Sequence, residues 1–154
     1  YCVGGACALA LCLDFRVVGQ GAKMRLPEVP LGMNMSWRSL PRLASLVGPS
    51  RAKQFAIFGE FADAATMLAW GMVDEVVPAG GAAVAALNWA RKVAALPPLP
   101  VRMTKEAINA TVNANHHATS HMDRDQFLLT FGSDDLQEGL RAFFEKRKPN
   151  FKGN

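Results

Sequence analysis

Residues 1–18 read YCVGGACALALCLDFRVV. Two adjacent glycines, Gly4 and Gly5, lead straight into a small, apolar, helix-favouring run that Asp14 closes. Residues 4–12 are therefore expected to form a helix with bare backbone at its start. A helix N-terminus carries free N–H groups and a partial positive charge, and glycine there lets a neighbouring atom come close. That neighbour is either a packing partner from another helix or an oxygen that accepts a hydrogen bond, which is how an oxyanion is held. The pattern is not a dinucleotide fingerprint, because G-x-G-x-x-G is absent and no strand is legible before Gly4. With no initiator Met either, the sequence reads as the C-terminal part of a longer protein.

Working outward, residues 15–18 alternate weakly toward a strand with Gly19 and Gly21 as punctuation, and a second short strand is expected at 22–26. Pro27-Glu28-Val29-Pro30-Leu31-Gly32 cannot be regular helix, since two prolines remove donors and force extended backbone before them. It reads as a structured loop after a strand end, where functional groups are often mounted. Glu28, between two prolines and flanked by Val29 and Leu31, is expected in a rigid apolar frame that raises its pKa and fixes its direction. That suits a general acid or base. The alternative is a Glu that caps a turn or pairs with Arg25.

Beyond this loop the chain is largely helical. Residues 36–47 suit an amphipathic helix interrupted early by Pro41, and Pro49-Ser50-Arg51 opens another that Gly59 stops. Asp63 is a candidate N-cap for residues 64–70, with Gly71 as the stop and a short strand at 72–77. Residues 82–96 are helical, Pro97 to Pro100 break the pattern, and 103–112 and 123–131 follow as helices. Ser133 caps a last helix at 134–146, with acids in its first turn and bases in its last. Trp37, Trp70 and Trp89 read as core or interface residues.

Half of the 154 residues are hydrophobic and 19% are charged, an ordinary globular balance in place of disorder or a fibre. The net charge of +4 comes late in the chain and gives nucleic-acid binding little support, although a small anionic ligand would suffice. Cys2, Cys7 and Cys12, odd in number and set among Ala and Leu, fit reduced core thiols in a cytoplasmic compartment better than disulfides or a metal site. His117 and His121 stand at metal-ligand spacing, but no acid or Cys completes a set nearby, so no metal is expected. The longest apolar run, residues 7–13, is too short to cross a bilayer, and no membrane association is expected.

Several stretches in order resemble the crotonase, or enoyl-CoA hydratase/isomerase, superfamily. They are Gly4-Gly5 with Leu9-Ala10, Cys12, Asp14 and Arg16; Pro27-Glu28-Val29 with Leu31-Gly32; Arg42-Leu43 with Val47-Gly48 and Arg51-Ala52; Gly71-Met72-Val73-Asp74; and the tail from Ser133-Asp134-Asp135 through Glu138-Gly139, Ala142-Phe143 and Glu145-Lys146-Arg147 to Pro149 and Phe151. The match runs from residue 1 to residue 152. It implies an α/β fold, the C-terminal portion of a crotonase-like β-β-α spiral core at 1–80, followed by a helical trimerisation region at 81–154. It further implies assembly as homotrimers or hexamers and an acyl-CoA thioester substrate, with coenzyme A part of the substrate and no separate cofactor.

Residue by residue, the resemblance implies that Gly5 presents the N–H that polarises the thioester carbonyl and that Glu28 is the catalytic carboxylate. Gly4, Ala8, Leu31 and Ser36 fall around the substrate, and Phe127, Phe143 and Lys146 where C-terminal helices of relatives approach the adenine and phosphates. Two departures stand out. Hydratases of the family carry a second Glu at the position of Ala8, and a Gly-rich stretch where this chain has Met33-Asn34-Met35-Ser36-Trp37-Arg38-Ser39. One carboxylate is enough for double-bond isomerisation, which is the expected activity. The alternatives are an atypical hydratase, with Asn34, Ser36 or another residue orienting water, and a non-catalytic acyl-CoA-binding paralogue.

Overall fold

The apolar runs between successive glycines and prolines are short, and so are the strands. The computed structural model describes residues 1–114 and 116–154. Strand β1 (Cys2–Val3) runs directly into helix α1 (Gly5–Leu11), and β2 (Val17–Gly19) and β3 (Lys23–Arg25) follow. A 3-10 turn (Val29–Leu31) then leads to α2 (Ser39–Val47), α3 (Pro49–Phe58), β4 (Ala62–Asp63), α4 (Ala64–Ala69) and β5 (Glu75–Val77). The remainder is helical: α5 (Ala82–Ala94), α6 (Pro98–Asn113), a 3-10 turn (His116–Thr119), α7 (Ser120–Phe131) and α8 (Asp134–Glu145).

The strands form two small sheets. In one, β1 and β3 are parallel, with Cys2 opposite Met24 and Val3 opposite Arg25, and β4 adds antiparallel to β3. In the other, β2 lies parallel to β5. Cys7, Leu11, Met24, Leu26, Leu43, Phe55, Met67 and Met72 fill the space between sheets and helices. Each fully buried Leu or Met stabilises the fold by about 1.5–3 kcal/mol.

Within the second sheet, Arg16, which is buried, ties the start of β2 to the segment that leads into β5. Its Nε donates to Met72 O at 2.6 Å and its Nη1 to Leu13 O, while its backbone N–H donates to Asp74 Oδ2 at 2.7 Å. Asp74 N–H returns a bond to Arg16 O at 2.9 Å. A buried guanidinium is tolerated because two carbonyls accept from it and the Asp74 carboxylate lies 3.8 Å from its Nη2, and this accounts for Arg16 and Met72-Val73-Asp74 occurring together.

Several caps stand where local chemistry put them. Asp63 Oδ1 accepts from Thr66 N–H at 2.8 Å, Ser133 Oγ accepts from Leu136 N–H, and Gly59 ends α3 at φ 59°. Other expectations are corrected. A parallel strand does precede the glycines. Pro41 does not interrupt α2 and Pro98 and Pro100 do not delay α6, since each lies in its helix's first turn, where an N–H has no acceptor to lose. Helix α8 carries Asp134 and Asp135 in its first turn but no base in its last, ending at Glu145 with Lys146 as the left-handed cap.

Helix α8 packs on the turn at Val29–Leu31 through backbone. A Cβ on Gly139 would lie 2.3 Å from Leu31 O, and one on Gly32 would lie 2.6 Å from Asp135 O. Only glycine allows this approach, and Gly32 also takes φ 84°. Leu136 and Ala142 are buried on the same helix.

Candidate active site

Pro27 and Pro30 hold the Glu28 segment as a turn, and the Glu28 carbonyl accepts from Leu31 N–H and Met33 N–H, both at 3.0 Å. The backbone that carries the carboxylate is thus fixed from two sides. The side chain reaches back to the start of α1. A Cβ on Gly4 would lie 2.9 Å from Glu28 Oε1, so the carboxylate rests against the Gly4 backbone. Gly4 adopts φ 57° and is held to β3 by its own N–H donating to Arg25 O at 2.9 Å. A side chain at position 4 is therefore opposed both by backbone strain and by the carboxylate.

Glu28 Oε2 is enclosed and, among the described residues, has no hydrogen-bond partner. Burial raises the pKa of the carboxyl, while its own backbone N–H and the nearby Arg25 charge pull in the opposite direction. Arg25 does not form an ion pair with it. Its Nε donates to Gly59 O and its guanidinium lies 5.3 Å from the centre of the Phe61 ring. An enclosed carboxyl with a spare oxygen and a pKa raised by burial can exchange a proton with a ligand. Cys7, on the first turn of α1, is a buried thiol pushed up to about 12 by burial first, then by Cys2 and Glu28, so it stays protonated.

Gly5 is the first residue of α1, and no side chain caps the helix start. On its far side stands Trp37, whose Cζ2 would be 3.5 Å from a Cβ on Gly5. Glu28 and Trp37 therefore flank consecutive glycines. Trp37 is 68% exposed and not a core residue, and the size of its side chain gave no hint of this. Ala8 is 1% exposed, in the same apolar cluster as Cys7, Leu11 and Met35.

The other expected site residues are placed more widely. Leu31 faces α8 through its backbone, and the Ser36 carbonyl accepts from Ser39 Oγ at 3.0 Å. Asn34 is committed to α7: its N–H donates to Thr130 Oγ1 at 2.9 Å and its side-chain amide to Gln126 Oε1 at 3.3 Å. Phe127 pairs with Phe131 and Phe143 with Phe144, at ring separations of 5.6 and 5.7 Å. Lys146 is exposed at the end of α8. Among the described residues, none of these last three makes a hydrogen bond, ion pair or ring contact with Gly4, Gly5 or Glu28. No group of three or more His, Cys, Asp or Glu among the described residues is placed to hold a metal ion. None of their helices is long and apolar enough to cross a membrane.

The sequence profile of enoyl-CoA hydratase/isomerase matches residues 1–154. The chain belongs to the enoyl-CoA hydratase/isomerase family. Among curated relatives, a crotonyl-CoA hydratase of Syntrophomonas wolfei is 34% identical over 151 residues, covering 98% of this chain and 58% of the relative. A 2,3-dehydroadipyl-CoA hydratase of Escherichia coli is 34% identical over 153 residues, covering 99% and 60%. The chain therefore spans somewhat over half the length of the curated relatives it matches. An enoyl-CoA hydratase from Mycobacterium avium subsp. paratuberculosis superposes with a TM-score of 0.91 at 28% identity, over 98% of this chain and 61% of that one. A methylmalonyl-CoA decarboxylase superposes at 0.83 with 25% identity, over 99% and 60%. The α/β crotonase fold expected from the sequence is thus confirmed, within a family whose members carry several different acyl-CoA names.

Proposed function

We propose that this family member is an acyl-CoA enzyme that works through a thioester enolate, with Glu28 as the group that moves the proton. The Gly5 N–H, at the positive end of α1, is one donor to the thioester oxygen. Glu28 takes a proton from the carbon next to the carbonyl, the electrons move onto the oxygen as the enolate forms, and the proton is returned two carbons away. The net reaction is a shift of a carbon–carbon double bond. The observation that carries this reading is the Glu28 carboxylate packed against Gly4 with its second oxygen enclosed and unpartnered. Ala8 supports isomerisation over hydration, because the neighbouring position offers an enclosed methyl group and no second carboxylate to activate water.

The hydratase names of the relatives favour a second reading, hydration of a 2-enoyl thioester with Glu28 acting alone on water. Incubating the full-length protein with 3-enoyl-CoA and, separately, with 2-enoyl-CoA separates the readings. Formation of 2-enoyl-CoA from the first without 3-hydroxyacyl-CoA from the second supports isomerisation, and the reverse supports hydration. Tight binding of both with conversion of neither indicates the non-catalytic paralogue. The exposed Leu128, Leu129, Phe131, Phe143 and Phe144 of α7 and α8 favour a homotrimer or hexamer, and light scattering that gave a monomer at micromolar concentration contradicts that assembly.

A further inference from the structure

Trp37 and Arg38 are consecutive non-glycine residues with left-handed backbone, φ 71° and 51°. Such conformations are costly for side-chain-bearing residues and persist where the surroundings impose them, often at functional sites. The surroundings here are α7. Arg38 N–H donates to Asp123 Oδ1 at 2.9 Å on one side of Trp37, and Asn34 N–H donates to Thr130 Oγ1 on the other. Met35, between them, is buried and anchors the segment in the core. Held at three points, the segment presents a large indole that lies over Gly5 while remaining mostly exposed.

The position has a chemical consequence that rests on the enolate reading above. A thioester carbonyl held at the Gly5 N–H puts its adjacent carbon, C2, between the Glu28 carboxylate and the indole face. We infer that Trp37 is a specificity-determining residue: its indole is a flat wall that accepts an acyl group unbranched at C2 and excludes one whose C2 substituent projects out of the thioester plane toward the indole. Asp123 is a positioning residue, acting through the Arg38 N–H to hold that wall in place.

Butyryl-CoA and 2-methylbutyryl-CoA differ by one methyl group at a tetrahedral C2, where the substituent leaves the thioester plane, so they form the probe pair. Binding is measured by calorimetry on the full-length protein in a Glu28→Gln background, which prevents turnover. One methyl group in a close-fitting apolar site discriminates by about 10–200-fold. With Trp37 in place butyryl-CoA is expected to bind at least about tenfold more tightly than the branched thioester. Trp37→Ala is expected to bring the ratio to within about twofold, through tighter binding of the branched ligand, and Trp37→Phe to an intermediate value. Trp37→Gly relieves the left-handed backbone, so its Tm stays level or rises while the discrimination is lost. Asp123→Ala lowers the ratio and Asp123→Asn, which keeps an acceptor for Arg38 N–H, restores it.

A ratio that does not change in Trp37→Ala, or a branched thioester bound as well as butyryl-CoA with Trp37 present, overturns the assignment. So does absence of binding by both thioesters. Full turnover by Glu28→Gln refutes the base and leaves a Trp37-dependent ratio standing, so the two claims fail separately.

Discussion

Replacing Gly139 with alanine tests whether α8 holds the turn that carries Glu28. The new methyl carbon would lie 2.3 Å from Leu31 O and 2.6 Å from Leu31 C. Non-bonded heavy atoms settle at about 3.5–4.0 Å, so helix and turn must part by about 1 Å, and neither backbone atom can rotate away. Overpacking of this kind costs up to about 3 kcal/mol. Alanine is also the better helix former by about 1 kcal/mol, which leaves a net loss of about 2 kcal/mol. For a chain of this size that corresponds to a Tm lower by about 4–8 °C in scanning calorimetry. Because Glu28 opens the displaced turn, a shift of about 1 Å is expected to lower kcat by about 100-fold as well. Gly132→Ala is the control, since its methyl would be 3.7 Å from the nearest atom and its φ is −89°. Wild-type Tm and kcat in Gly139→Ala would refute the coupling between α8 and the site.

Removing the buried cation by Arg16→Met leaves Met72 O and Leu13 O without their side-chain donors and Asp74 without its ion-pair partner, and urea denaturation is expected to show a loss of about 3–5 kcal/mol, with Arg16→Lys recovering only part. Hydrogen bonds from Arg147 and from Asn150 N–H hold the Glu138 carboxyl down to about 2, against an ordinary value of 4.5. Its folded-state pKa is the lower one, so its hold on the C-terminal tail is complete above about pH 4.5 and is lost as pH falls toward about 2. The protection factor of the Asn150 amide, corrected for its intrinsic exchange rate, should fall across that window, and Glu138→Gln should remove that pH dependence. Ala8→Glu puts a carboxyl among Cys7, Leu11 and Met35, and is expected to lower stability by about 1–3 kcal/mol without raising hydration. A folded variant with new hydratase activity would show that the Ala8 side is open to water.

Where chemistry is local, the sequence was legible. Asp63, Ser133 and Gly59 cap or stop helices through atoms within four residues, and their neighbours suffice to find them. The prolines at 41, 98 and 100 were misread because a proline in a first turn removes a donor that has no acceptor, a matter of one residue in helix register. Strand β1 is two residues long and exists only because Met24 and Arg25 lie beside it, which no periodicity reveals. In the site, the proline frame of Glu28 was readable. Its rest against Gly4 was not, since that contact joins positions 24 residues apart. Trp37 was concealed most thoroughly. Its type reads as core or interface, and its left-handed backbone adjoins an Arg38 N–H held by Asp123, 85 residues further along the chain.

The central claim, that Glu28 moves the proton next to the thioester, is tested most directly by hydrogen exchange at that carbon. The full-length protein is incubated in deuterium oxide with an acyl-CoA that bears C2 protons but no double bond to shift, and label incorporation is followed by mass spectrometry. Wild-type protein should exchange C2 protons, with a rate that falls as acid protonates Glu28 through a pKa raised above the ordinary carboxyl value by burial. Glu28→Gln should slow exchange by about two to four orders of magnitude while calorimetry shows thioester affinity little changed. Exchange at the wild-type rate in Glu28→Gln would contradict the account.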